Sequence, residues 1–180
     1  NVRIEANADP RFNGATTITG LVYVEWPNDV RFNGSTNITG MIVFEKPPFT
    51  PSDTATPTND LTFNGSISSS GVENLPDTAE YAGLHEHVGT FLLAPDVDVL
   101  FNGAMGTVNG SIYTSGLRLN GATSGTVRGS IIVDRRSQLT KNGSVNLYFE
   151  VLDEYDNPAG LEFGDSGKVL TLIPDSYEEL

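Results

Sequence analysis

The sequence lacks cysteine altogether, so no disulfide and no thiolate chemistry is available to it. Basic residues are scarce: Lys and Arg number 10 against 23 Asp and Glu, which gives a formal net charge of −13. Nucleic acid and anionic membrane surfaces are bound through clustered Lys and Arg, so neither is expected as a partner. No apolar run approaches the roughly 20 residues that cross a bilayer, so we expect no membrane insertion by this chain.

The sequence contains instead a repeat of about twenty residues, a length typical of solenoids. Each repeat starts with an apolar residue and Asn-Gly, and a second Gly and a short apolar segment come after them. The segment 12–20 returns at 32–40, and shorter matches follow at wider spacing. The residues of this frame are Phe12, Asn13, Gly14, Phe32, Asn33, Gly34, Phe63, Asn64, Gly65, Phe101, Asn102, Gly103, Asn120, Gly121, Asn142 and Gly143.

The apolar segments are rich in β-branched and aromatic residues, which is typical of strands. They lie at 21–24, 41–44, 90–93, 111–113 and 130–133. Asn-Gly is also typical of hairpin turns, so a meander of hairpins is the first alternative. Recurrence of the whole frame in phase favours stacked coils, with Asn above Asn and Phe above Phe about 4.8 Å apart. We therefore predict an all-β, right-handed parallel β-helix, a solenoid of about six to eight coils with hydrogen-bonded Asn side chains along its axis.

Two long steps between successive frames predict loop excursions at residues 46–60 and 72–89. Insertions into a solenoid leave from one face, which is often the binding face. The last open coil of a solenoid needs a cover, because an exposed edge invites aggregation. We therefore assign residues 1–145 to coils and 146–180 to a C-terminal β cap, all within a single domain.

The second excursion holds both histidines, and Tyr81, His85, Glu86 and His87 are its candidate binding residues. Alternate residues of a strand point the same way, so His85 and His87 on a strand would be placed to share a metal ion. Two ordinary loop histidines are the alternative.

A second candidate site is the acidic turn that contains Asp153, Asp156 and Asn157. Its oxygen ligands are those that Ca²⁺ prefers, although the spacing is not that of an EF-hand, and a solvated turn is the alternative. Ca²⁺ is the one cofactor that the sequence suggests, and otherwise none is expected.

Catalysis is not predicted, and no residue is assigned a catalytic role. An enzyme acting on acidic polysaccharides needs a cationic patch, whereas Arg135 and Arg136 are the only adjacent basic pair. Hydrolysis of a neutral glycan needs two carboxylates roughly 5–9 Å apart, which so acidic a chain can supply by chance. A carbohydrate-active β-helix therefore stays an alternative.

The segment 93–103 contains Ala-Pro, then alternating apolar residues, then Asn-Gly. A second apolar strand follows at 108–113. Together they resemble a pattern in the C-terminal regions of secreted bacterial proteins of the PilX-type, type IV pilus-associated family. Residues 25–34 are similar to the same pattern, and residues 176–180 are similar to the aromatic-x-Glu-Leu tail of several such proteins. The resemblance implies a right-handed β-helix outside the cell, and it carries over no catalytic residue.

Together these features predict a non-enzymatic structural or adhesive module, extracellular or on the cell surface, in a bacterial appendage or pilus-associated protein. Its expected partners are other surface or filament subunits, with a glycan and a second copy of the chain as further candidates. The chain begins with Asn, which we interpret as a removed targeting segment or a fragment. A self-polymerising filament subunit, joined end to end by open coils, is the remaining alternative.

Overall fold

The computed structural model describes residues 1–47, 59–121, 123–133 and 139–150. Within these ranges the chain is all strand, turn and loop, apart from two short 3₁₀ turns at Val72–Asn74 and His85–His87. The strands are β1 Val2–Ile4, β2 Arg11–Phe12, β3 Thr16–Val24, β4 Asp29–Phe32, β5 Thr36–Phe44, β6 Asn59–Phe63, β7 Ile67–Ser69, β8 Thr90–Phe101, β9 Thr107–Asn109, β10 Ser111–Asn120, β11 Ser124–Arg128, β12 Ile131–Val133, β13 Leu139–Asn142 and β14 Asn146–Glu150.

The strands stack in parallel on three faces of a solenoid of about seven turns. The Phe face consists of β2, β4, β6, the second halves of β8 and β10, and β13. The Thr face consists of the first halves of β3 and β5, then β7, β9, β11 and β14. The Tyr face consists of β1, the second halves of β3 and β5, the first halves of β8 and β10, and β12. The predicted parallel solenoid is confirmed, and the hairpin meander is wrong.

Strands β3 and β5 each run through a corner, and Gly20 and Gly40 stand at those corners. Their φ values of 105° and 130° lie in the left-handed region that glycine tolerates. Space is also short, because a Cβ on Gly40 would lie 2.1 Å from the carbonyl oxygen of Gly20. The second Gly of the repeat therefore lets one strand continue from the Thr face to the Tyr face.

The core is a column of inward side chains in which the phenylalanines of the frame stack ring on ring. The ring centroids of Phe12 and Phe32 are 4.7 Å apart, those of Phe32 and Phe63 5.2 Å, and those of Phe63 and Phe101 5.1 Å. Leu119 and Lys141 take the next two positions of this column. The predicted aromatic column is thus confirmed through Phe101.

The excursion at 72–89 is packed against the solenoid along much of its length. It forms a second, smaller hydrophobic cluster outside the main core. Val72 and Leu75 are buried there against Met41, a residue of the Tyr face. Tyr81 lies over the first corner, where a Cβ on Gly20 would come within 2.9 Å of its ring. The excursion therefore covers the Tyr face beside β3 and β5.

The other two predicted segments fall partly outside the described residues. Of the excursion at 46–60, residues 48–58 lie outside them. Of the predicted cap at 146–180, the described part is β14, which continues the coil by pairing in parallel with β11. Residues 151–180 lie outside, so a cap beyond Glu150 stays a prediction.

Candidate functional site

The longest continuous polar feature of the surface is the line of frame asparagines, which we call the Asn ladder. After the first rung, each side chain donates an Nδ2 hydrogen bond to Oδ1 of the Asn one coil earlier. Along the ladder Asn13, Asn33, Asn64, Asn102, Asn120 and Asn142, the successive donor–acceptor distances are 2.8, 2.7, 2.7, 2.9 and 3.2 Å. Stacked identical amides form such ladders because each supplies both a donor and an acceptor. The predicted ladder is confirmed through six rungs.

A second asparagine pair, Asn28 and Asn59, is buried at the corner before the Phe face. Asn28 Nδ2 donates to the carbonyl oxygens of Glu5 and Glu25, at 2.9 and 2.7 Å, and Asn59 Oδ1 accepts from the Asn28 backbone at 2.7 Å. The amides thus satisfy backbone groups where the chain turns between faces. This pair was not among the predicted residues, although Asn-Asp recurs at the start of β4 and of β6 and is the signal that would identify it.

A row of carboxylates lies on the outside of the Phe face, and we call it the Asp row. Asp29, Asp60 and Asp98 are direct partners in the parallel register, so they stand about 4.8 Å apart along the axis. Asp29 is paired with Arg31 at 2.7 Å and with Arg11 at 3.8 Å. The carboxylate of Asp29 is therefore partly neutralised by arginine, and the carboxylates of Asp60 and Asp98 follow it as closely spaced like charges.

Burial raises the pKa of the Asp60 carboxyl above its ordinary value, and the neighbouring carboxylates of Asp98 and Asp29 raise it further. Arg118 and Arg31 act in the opposite direction and do not cancel the effect. Asp60 is consequently the acidic group in the described part of the chain whose protonated form the structure favours.

The histidine pair lies in a turn of the excursion and not on a strand, so the strand geometry that would let both side chains share a metal ion is absent. His85, Glu86 and His87 form a 3₁₀ turn, in which residues two apart do not share a side as they do in a strand. His85 Nε2 lies 3.4 Å from the Pro76 carbonyl oxygen, within the excursion. Among the described residues no group of three or more His, Cys, Asp or Glu side chains is arranged to hold a metal ion. A binding role for Tyr81 and this turn stays a prediction.

The predicted calcium ligands Asp153, Asp156 and Asn157 lie outside the described residues. An open depression of about 540 Å³ lies on the outside of the first coil, lined by Asn1, Val2, Arg3, Leu21 and Tyr23. Its one charged lining residue is Arg3, which is paired with Glu25, so the depression contains no pair of carboxylates. No helix within the described ranges has the length and hydropathy to cross a membrane.

The fold and the ladder define the chain as a parallel β-solenoid of the asparagine-ladder kind. No family model, curated protein or solved structure matches it. The resemblance to the pilus-associated family therefore stays a prediction.

Proposed function

We propose that this chain is a non-enzymatic structural or adhesive module of a bacterial surface appendage. The observation that supports this most is the coil-by-coil continuity of the backbone pairing, the Phe stack and the Asn ladder. The backbone pairing and the Asn ladder recur from coil to coil, and the Phe stack recurs through Phe101, so load along the axis is shared among many parallel strand pairs. Such a rod suits a spacer or stalk that must stay extended outside the cell.

Immunogold electron microscopy on cells of the source organism tests the proposal. We expect gold particles along surface appendages, in cells whose membranes have not been permeabilised. Cells from which the coding sequence has been deleted serve as the control for antibody specificity. Labelling confined to the cell interior after permeabilisation would contradict the proposal.

A second candidate, hydrolysis of a neutral glycan, is favoured by the Asp row. Two carboxyls on neighbouring coils approach the separation of a retaining glycosidase pair, and the raised pKa of Asp60 suits the acid of such a pair. Among the described residues the row follows one face of a sheet and no second wall faces it, which argues for the structural role first.

Reducing-end assays on a panel of neutral polysaccharides separate the two candidates. Hydrolysis that Asp60→Asn and Asp98→Asn abolish, and that Asp77→Asn on the excursion leaves unchanged, would establish the enzyme. No product with the unmodified chain is the result expected of the structural module.

A further inference from the structure

Every rung of the Asn ladder is followed by Gly, and Asn109-Gly110 adds a seventh such dipeptide. Asn-Gly is the pair most prone to lose its side-chain amide, because glycine offers no side chain to hinder attack by its own backbone nitrogen. We propose that the ladder directs this spontaneous modification to its terminal rungs, Asn13 and Asn142, and protects the rungs between them.

In the reaction, the backbone nitrogen of Gly attacks Cγ of the preceding Asn. The N–Cγ bond forms, the Cγ–Nδ2 bond breaks, and ammonia leaves with the proton of the former Gly N–H. Water then opens the cyclic imide at either carbonyl, which gives Asp or isoaspartate. Water is the only other reactant, and no oxidant or reductant is needed.

The interior rungs are held on both sides of Cγ. Asn64, for example, donates to Asn33 at 2.7 Å and accepts from Asn102 at 2.7 Å. Its side chain must leave both hydrogen bonds before Cγ can reach the Gly nitrogen. Each ladder hydrogen bond lowers the population of released side chains by roughly two- to tenfold. Because only a released side chain can react, we expect the interior rungs to react more slowly.

The terminal rungs are each held by one ladder bond among the described residues. Asn13 accepts from Asn33 at 2.8 Å, and Asn142 donates to Asn120 at 3.2 Å, the longest bond of the ladder. A further restraint applies inside the ladder at Asn120, where Gly121 N donates to the Asn142 carbonyl at 2.7 Å. That bond occupies the nitrogen that would attack Asn120.

The polarity of the ladder also decides where the product is tolerated. An aspartate at position 13 would still accept from Asn33, since Asn13 uses only its Oδ1 in the ladder. An aspartate at position 64 would accept from Asn102 but would face Oδ1 of Asn33 with an acceptor instead of a donor. Conversion of Asn13 to aspartate therefore keeps its ladder hydrogen bond, whereas aspartate at an interior rung removes a hydrogen bond and adds a repulsion.

Peptide mapping by mass spectrometry tests the proposal on the full chain, incubated at mildly alkaline pH with and without urea. In the folded chain we expect Asn13 and Asn142 to deamidate severalfold faster than Asn33, Asn64 and Asn102. In urea the rates should become similar. Equal rates at all rungs of the folded chain, or slower reaction at the terminal rungs, would overturn the proposal.

Moving the end of the ladder separates this effect from general protection by folding. Asn13→Ala makes Asn33 the first rung, and its deamidation rate should rise by roughly two- to tenfold. The control is Thr17→Ala, an exposed change in the same coil but outside the ladder, which should leave the rate at Asn33 unchanged. No change at Asn33 in the Asn13→Ala variant would overturn the ladder's role.

Discussion

At the scale of single residues, close approach between coils requires the Gly of three Asn-Gly pairs, at positions 34, 65 and 103. A Cβ on Gly34 would lie 2.0 Å from the Gly14 carbonyl oxygen, and one on Gly65 would lie 2.3 Å from that of Gly34. A Cβ on Gly103 would lie 2.2 Å from the Gly65 carbonyl oxygen. These three positions need glycine because the next coil leaves no room for a side chain.

We expect Gly65→Ala to lower the free energy of unfolding by at least about 3 kcal/mol, the upper end for overpacking, because backbone atoms must move to admit the methyl group. Urea denaturation followed by circular dichroism measures the change. Gly83→Ala is the matched control, since no atom lies within 4 Å of its Cβ position. It should stay within about 0.5 kcal/mol of the unmodified chain. A neutral Gly65→Ala would mean that the coils stack less closely than described.

At the scale of elements, some strands continue round a corner of the solenoid, whereas the excursion packs against one of its faces. Strands β8 and β10 turn a corner without ending, and Asp96 stands at the first of these corners with a φ of 58°. The excursion at 72–89 packs on the Tyr face. The stacking of β4, β6 and β8 creates the Asp row, which no single element contains.

The Asp row should make stability depend on pH in a direction opposite to that of an ion pair. The folded state raises the pKa of Asp60, so it favours the protonated carboxyl. The contribution of the Asp60 carboxyl to stability is therefore fully present below its pKa in the unfolded chain. That contribution is lost as the pH rises through its higher pKa in the folded chain. Glu25 behaves in the opposite way, because the hydrogen bond from Arg3 lowers its pKa.

We therefore expect Asp60→Asn to raise the free energy of unfolding at pH 7 and to leave it nearly unchanged at pH 3. The amide keeps the shape of the side chain but removes the charge repelled by Asp98 and Asp29. Urea denaturation at the two pH values gives the comparison, with the exposed Asp77→Asn as the control. Lower stability of Asp60→Asn at pH 7 would show that the charge is compensated.

At the scale of the whole molecule, the two ends of the described solenoid differ. The inward column begins with Phe12 and ends with Lys141, which pairs with the buried Leu119 in the preceding coil. A charged residue at an inward position opposes the packing of a further apolar side chain at that point of the column. The net charge of −13 adds a general repulsion between copies of the chain.

Lys141→Phe should accordingly promote association of the chain through this end. Sedimentation velocity at several protein concentrations should show larger species for the variant than for the unmodified chain. Thr140→Phe, on the same strand but pointing to the other face, is the control for added hydrophobicity. If both variants associate equally, the inward position has no special role.

The recurrence in the amino-acid sequence was enough to predict the parallel stacking, the Phe column and the Asn ladder. Each of these requires only that one frame recur in phase, and a period in the chain becomes a column in space once the chain coils. Tertiary structure alone decided the 3₁₀ turn at His85–His87, the packing of the excursion on Met41 and the Asp row. These features depend on which residues outside the core become neighbours. That cannot be predicted where successive frames are separated by unequal numbers of residues, as from Asn33 to Asn64 and from Asn64 to Asn102. Insertions of different length leave the stacked frame in register. The contacts of the inserted residues with the rest of the solenoid, however, depend on packing between residues that are distant in the sequence.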